Sequence, residues 1–212
     1  MSHIGCELFN SSQFTFGGLY ICDNIVTASS TSGRGIRLRY IKWVGCNISG
    51  DASATFGDIQ VCRNDIGTNT GDGISFRFNS AWGMNLSDNA SATFGDLVFD
   101  DNTITSGSGG VYTDNIREFG YNMSGASAFA MGNVTFNNNH IESESESMYL
   151  PFLNKFGYDM YNDSSFTMGD FMIYSNALTS NTSEGIYLYE ASTSDDDGFG
   201  HNMNGNATFT MG

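Results

Sequence analysis

The chain of 212 residues is 40% hydrophobic and 14% aromatic, with 26 glycines, one proline and a formal net charge of −15. That apolar content can bury a sizeable core, which excludes a disordered tail despite the many Ser, Asn, Asp and Gly residues. No apolar run approaches the ~20 residues a bilayer-spanning helix needs, and an acidic surface repels phosphate, so neither a membrane span nor a nucleic-acid partner is expected.

From the N-terminus, MSHIGCELF lacks the basic start and apolar core of a signal peptide. These residues already lie within a motif that recurs six times: Gly5 to Gly17, Gly45 to Gly57, Gly83 to Gly95, Gly120 to Gly132, Gly157 to Gly169 and Gly200 to Gly212. Its two glycines are always twelve residues apart, and successive copies begin 40, 38, 37, 37 and 43 residues apart. Such self-similarity marks a repeat architecture. The repeats run over 5–44, 45–82, 83–119, 120–156 and 157–199, with a partial copy over 200–212, and residues 1–212 are read as one solenoid domain. Because Gly212 falls inside a repeat, the chain is read as a mature or excised piece of something longer rather than as a complete cytoplasmic protein.

Within each repeat the elements follow in a fixed order. Two residues after the second glycine stand Leu19, Ile59, Leu97, Val134 and Phe171, and four after it Ile21, Val61, Phe99, Phe136 and Ile173. That alternation is the period of a half-buried strand. Seven after it stand Asn24, Asn64, Asn102, Asn139 and Asn176, and nine after it Val26, Ile66, Ile104, Ile141 and Leu178. A variable, polar turn follows (TASSTSGR, GTNTGD, TSGSG, ESESES, TSNTSE), as a solvent-exposed loop should vary. The chain re-enters a strand at Ile36, Ile74, Val111, Met148 and Ile186, and alternation continues through Phe78 and Tyr189. A large apolar residue (Val44, Trp82, Phe119, Phe156, Phe199) precedes each new copy. Inside the copy, Leu8, Ile48, Leu86, Met123, Met160 and Met203 hold one apolar position, and Ser12, Ala52, Ala90, Ser127, Ser164 and Ala207 a small one. No stretch shows apolar residues at i, i+3, i+4, i+7 long enough for a helix.

Positions that keep their character through every copy are most simply residues stacked on their equivalents in adjacent coils, since one coil cannot bury its apolar face alone. The expectation is an all-β, parallel β-solenoid of about five coils, one repeat of 37–43 residues per coil, with two short coils per repeat as the alternative. Strands would lie about 4.8 Å apart. The five asparagines would form a ladder, each amide satisfied by the next, because a buried amide is costly unless paired.

The run IQVCRNDIGTNTGDGISF, an apolar strand followed by Asn-x-Ile and then Gly-Ile, resembles the right-handed parallel β-helix of pectin-lyase-like proteins. The whole unit, GxNxSxxASATFGDIxVxxNxI and then GIxF, is similar to tandem repeats in large secreted or cell-surface proteins of methanogenic archaea. The resemblance implies a right-handed β-helix; it implies no single activity, since that fold serves lyases, hydrolases, adhesins and structural proteins alike.

Few residues suggest chemistry. Cys6 and Cys46 are equivalent, as are Cys22 and Cys62, each pair 40 residues apart and so on adjacent coils within reach of a disulfide; the alternative is simple substitution at positions filled elsewhere by other residues. Asn-x-Ser/Thr sequons at Asn10, Asn47, Asn85, Asn89, Asn122, Asn133, Asn162, Asn181 and Asn206 offer N-glycosylation in a secreted setting, with Asn181, near a turn, the best placed. Asp100-Asp101 and Asp195-Asp196-Asp197 are close acidic clusters where calcium is conceivable, whereas Glu142, Glu144 and Glu146 alternate with serines in a variable loop and read as a solvated face. Pectin-lyase-like enzymes use converging carboxylates with a basic residue or a histidine. Here His3, His140 and His201 occupy unrelated phases of the repeat, and no Arg or Lys neighbours Asp195. No cofactor and no catalytic residue are therefore assigned.

The charge is uneven. Residues 1–80 hold six basic residues (Arg34, Arg37, Arg39, Lys42, Arg63, Arg77) and six acids, while 81–212 hold only Arg117 and Lys155 against seventeen. Neither end shows a cap, and a basic start can meet an acidic end. The expected function is an extracellular or cell-surface structural and adhesive β-helix whose partner is itself, head to tail, with surface glycans as a further partner; the alternative is a carbohydrate-binding or carbohydrate-cleaving β-helix.

Overall fold

The computed structural model describes residues 2–30, 33–77, 79–114, 116–150, 152–188, 200 and 202–212. It is a parallel β-solenoid of about five coils, and no helix forms among the described residues. Five sheets run its length. The first contains Ser2–Ile4, Lys42–Val44, Ser80–Trp82, Ile116–Phe119 and Phe152–Phe156; the second Gln13–Phe16, Ser53–Phe56, Ser91–Phe94, Ala128–Met131, Ser165–Met168 and Thr208–Met211. The third contains Leu19–Cys22, Ile59–Cys62, Leu97–Asp100, Val134–Asn137 and Phe171–Tyr174, and the fourth Ile25–Ala28, Asp65–Thr68, Thr103–Ser106, His140–Ser143 and Ala177–Ser180. Ile36–Arg39, Ile74–Arg77, Val111–Asp114, Met148–Leu150 and Ile186–Leu188 make the fifth. The register pairs Ser53 with Ser91 and Ser91 with Ala128, Leu97 with Val134 and Ile104 with Ile141. One repeat therefore makes one coil, and the two-coil alternative is set aside.

The fixed glycines have separate physical reasons. The first of each pair turns the chain with positive φ, 65° at Gly83 and 60° at Gly157, which glycine adopts without the roughly 1–2 kcal/mol that a side chain costs there. A Cβ at Gly83 would also lie 2.2 Å from the Phe129 ring of the next coil. The second has ordinary φ but abuts the previous coil: a Cβ on Gly95 or Gly132 would meet Oδ1 of Asp58 or Asp96 at 2.2 Å. Those oxygens accept the backbone N–H of Asp96 and Asn133, so the space is occupied by a hydrogen-bonded ladder.

The interior is built from rows. Phe16, Phe56 and Phe94 stack at 4.7 and 4.8 Å between ring centres, and Phe99 stacks on Phe136 at 4.9 Å. Trp82 lies against Phe94 at 4.1 Å and Phe119 at 4.4 Å, and its indole N–H donates to the Ile41 carbonyl at 2.8 Å. Each fully buried side chain of this size contributes roughly 1.5–3 kcal/mol relative to exposure. One row is interrupted: Ala54 and Ala92 stand where Phe14, Phe129, Phe166 and Phe209 stand in other coils. The gap is a cavity of about 10 Å³ among Ile4, Phe14, Gly45, Ala54, Ala92 and Phe129, room for a single water at most. The Asp195–Asp197 cluster, Phe78, Tyr189, Phe199 and His201 lie outside the described residues.

Candidate functional site

At the corner after the third sheet, Asp23, Arg63, Asp101, Asn138 and Ser175 each adopt a left-handed φ of 51 to 63°. That reversal swings the next residue, the repeat asparagine, inward. Nδ2 of Asn24, Asn64, Asn102 and Asn139 donates to Oδ1 of the asparagine one coil further on, 2.9 Å in every case. The same oxygens also accept the backbone N–H of the preceding rung, and each Nδ2 reaches back to a carbonyl, as Asn102 does to Val61. The ladder has a direction: every rung donates toward the C-terminal end. Among the described residues Asn24 Oδ1 receives no bond, and the Asn176 amide donates to the Phe136 and Tyr174 carbonyls but to no further asparagine.

A second ladder lies outside. Asn85 donates to Asn47 at 2.8 Å and Asn122 to Asn85 at 2.7 Å, and Asn202 continues the row onto Asp159. These residues share the left-handed corner two positions after the first glycine. Sequence reasoning took Asn47, Asn85 and Asn122 as sequons and missed the ladder; their common repeat phase puts them in one row but does not say which way the amides point. In Asn85 and Asn122 one N–H of Nδ2, the atom to which a glycan would be attached, donates along this ladder. Asn89 and Asn206 likewise donate to Asp51 and Asp163, and Asn181 to Glu144. Asn133 is half-buried and its Oδ1 accepts the Asp170 N–H, while Asn10 and Asn162 are exposed.

A disulfide joins Cys22 to Cys62, whose Cα atoms are 4.6 Å apart. Cys6 and Cys46 are free thiols, so the structure bridges only one of the two equivalent pairs. The Cys6 thiol turns instead to the Trp43 carbonyl at 2.7 Å. Hydrogen bonding with Cys6 and burial push the Cys46 thiol upward, so it stays protonated at neutral pH.

Among the described residues the acids singled out in the sequence do not converge. Asp100 accepts from Asn137, and Asp101 sits exposed at its corner. Asp23 takes a two-pronged bond from Arg63, at 2.7 and 2.8 Å, which holds its carboxyl below the usual range. Among the described residues no three His, Cys, Asp or Glu side chains gather to hold a metal. His3 stacks on Trp43 at 4.5 Å, and His140 faces Glu142 at 3.5 Å.

The cations do gather, on the first two coils of the fifth sheet and its flanks. Arg34 pairs with Asp72 at 2.9 Å across the coil boundary, and Arg77 lies 3.9 Å from the same carboxylate. Arg77 also lies over the Tyr112 ring at 3.8 Å, and Tyr112, Tyr149 and Tyr187 continue as a stack at 4.3 and 5.2 Å. Arg39 and Lys42 flank the exposed Tyr40 at 5.4 and 5.5 Å. Followed down the coils, the Arg34 row becomes Asp72, Gly109, Glu146 and Glu184, and the Arg37 row becomes Ser75, Tyr112, Tyr149 and Tyr187. One end of the solenoid is thus cationic and the other acidic and aromatic in the same rows.

Both end coils expose core positions. Ile186 and Leu188 are 42% and 61% exposed, whereas Ile74 and Phe76 in the same rows are at 0%. At the opposite end Leu19, Ile21 and Val26 are only partly buried. Comparison with protein-family models, curated proteins and solved structures finds no match.

Proposed function

We infer that this chain is an extracellular structural and adhesive rod whose copies join head to tail into a filament, sheath or surface layer. The observation that carries this reading is the row-by-row fit of the two ends. Set the first coil of one copy beyond the fifth coil of another, and three positions bring together partners of kinds that also meet inside the stack. Glu184 meets Arg34, as Asp72 does within the chain; Tyr187 meets Arg37, an arginine beside a tyrosine as in Arg77 on Tyr112. The Asn176 amide meets the open Oδ1 of Asn24, which continues the polarity of the ladder. Half-exposed core residues in the first and fifth coils supply the drive. A contact of this heterologous kind propagates instead of closing.

The solid interior, with room for at most one water in the cavity beside Ala54, suits a mechanical role. The reading uses no cofactor and no catalytic residue. Within it the winding is the right-handed one of pectin-lyase-like helices, the hand that parallel crossovers favour, and the repeat pattern supports kinship with surface proteins of methanogenic archaea.

Sedimentation and light scattering over a range of concentration and salt test the idea, with negative-stain microscopy of the products. Unbranched rods that shorten in high salt and in Glu184→Lys are the expected result. A monodisperse monomer at every concentration and salt would overturn it.

A second reading has one observation in its favour: Tyr40 and Trp43 are 51% and 36% exposed beside Arg39, Lys42 and His3. That corner suits an anionic glycan, by cation and ring contact together. Retention of the chain on an acidic polysaccharide, abolished by Trp43→Ala without cleavage of the polymer, is its expected signature; equal retention of the variant would dismiss it.

A further inference from the structure

Of the eight Lys and Arg residues in the chain, three stand on the outer face of the fifth sheet in two adjacent coils. The register sets Ser75 beside Arg37 and Arg77 beside Arg39. Alternate residues of a strand share a face, and Ile74 and Phe76 fill the core, so Arg37, Arg39, Arg77 and Ser75 are the corners of one outward square. Arg34, in the turn ahead of the sheet, adds a fourth guanidinium beside it. Against these stand Asp72, with Arg34 at 2.9 Å and Arg77 at 3.9 Å, and Asp114, which follows Arg77 in its row. The patch stays cationic on a chain of net charge −15. Ser75 is 0% exposed, and its hydroxyl has no hydrogen-bond partner among the described residues. A buried hydroxyl without a partner is costly, and this one sits among the arginines.

We propose that this square binds a sulfate or phosphate ester group of a polysaccharide, with the Ser75 hydroxyl and the Arg37, Arg39 and Arg77 guanidiniums as donors. The proposal rests on the glycan reading above and names the anionic group that the glycan carries. The choice follows from how this chain treats carboxylates. Both oxygens of Asp23 are satisfied by Arg63 alone, at 2.7 and 2.8 Å, because a carboxylate has two oxygens in one plane and a single guanidinium fork fills it. Three guanidiniums and a hydroxyl on corners about 5 by 7 Å apart exceed that demand. They suit a tetrahedral group, whose three terminal oxygens point to different corners. Arg77 leans onto the ring of Tyr112, the neighbour of Ser75 on the next coil, and a swing of that flexible arm opens the hydroxyl to the ligand. The acidic surface elsewhere repels the rest of such a polymer, so the contact is local and salt-sensitive.

The test uses the full chain and two forms of one polymer: chondroitin sulfate, and chemically desulfated chondroitin, which keeps its carboxylates. Retention on the sulfated form alone is expected, with inorganic sulfate and phosphate displacing the chain at a lower ionic strength than chloride does. Arg37 is exposed, so Arg37→Gln leaves the fold intact; it should weaken binding about tenfold, the loss of one charge-assisted hydrogen bond. Ser75→Ala should weaken it by a smaller factor with no fall in Tm. Arg63→Gln removes the same charge from an exposed corner outside the square and should change binding less than about twofold. Equal retention on both polymers overturns the ester site and leaves the glycan reading standing, and so does a loss in Arg63→Gln as large as that in Arg37→Gln. No retention on either polymer overturns both.

Discussion

Nδ2 of Asn102 donates to Oδ1 of Asn139 across 2.9 Å, and the backbone N–H of Asn102 donates to the same oxygen at 3.1 Å. One buried acceptor thus ties two donors of the previous coil, and the unit repeats in both directions. Truncating one rung strands its neighbours. Asn102→Ala removes the acceptor of both Asn64 donors and the side-chain donor to Asn139, so a loss of about 1–3 kcal/mol is expected, the usual cost of an unsatisfied buried polar group. Denaturant unfolding checks it. Stability equal to the parent would show that the ladder contributes nothing.

Phe94 stacks on Phe56 and on Trp82 and is 1% exposed. Phe94→Ala should cost roughly 3–5 kcal/mol, because the solenoid wall cannot collapse into the space left. Its neighbour Thr93 points outward, and Thr93→Ala should stay within about 0.5 kcal/mol of the parent. Melting curves that fail to separate the two would refute the inward assignment.

The Cys22–Cys62 bridge closes a loop with a sequence separation of 40 and holds the first coil to the second. Cys22→Ser/Cys62→Ser should lose about 2–4 kcal/mol. Cys6→Ser/Cys46→Ser, in which no bond is broken, should lose less. Thermal melts of the two double variants under non-reducing conditions compare them directly.

Arg63 holds the Asp23 carboxyl below its usual range. A depressed folded value means that the stabilisation is fully present above the unfolded value of about 3.9 and fades as pH falls through the folded one. Asp23→Asn should therefore melt below the parent at neutral pH and match it in strong acid. Exposure keeps the difference small. A gap that persists unchanged into acid would mean that Asp23 acts by packing rather than by charge.

Much of this architecture is legible in the chain itself. A residue such as Ile104 or Phe99 keeps its character in every copy because it stacks on its own equivalents, so row membership, the inward face and the ladder of Asn24 to Asn176 follow from repeat phase, while the register of the wound chain decided for one coil per repeat over two. What repeat phase does not contain is the rotation of a side chain at a corner. Asn85 and Asn122 read as sequons because a sequon is a local pattern, yet a left-handed φ aims both amides along the stack. Cys6 and Cys46 are as equivalent as Cys22 and Cys62, but the Cys6 thiol turns to the Trp43 carbonyl instead. The fit of Glu184 to Arg34, and the square that Ser75 makes with Arg37, Arg39 and Arg77, depend on which rows lie side by side. Both are properties of the wound stack, because only winding brings residues some forty positions apart into contact.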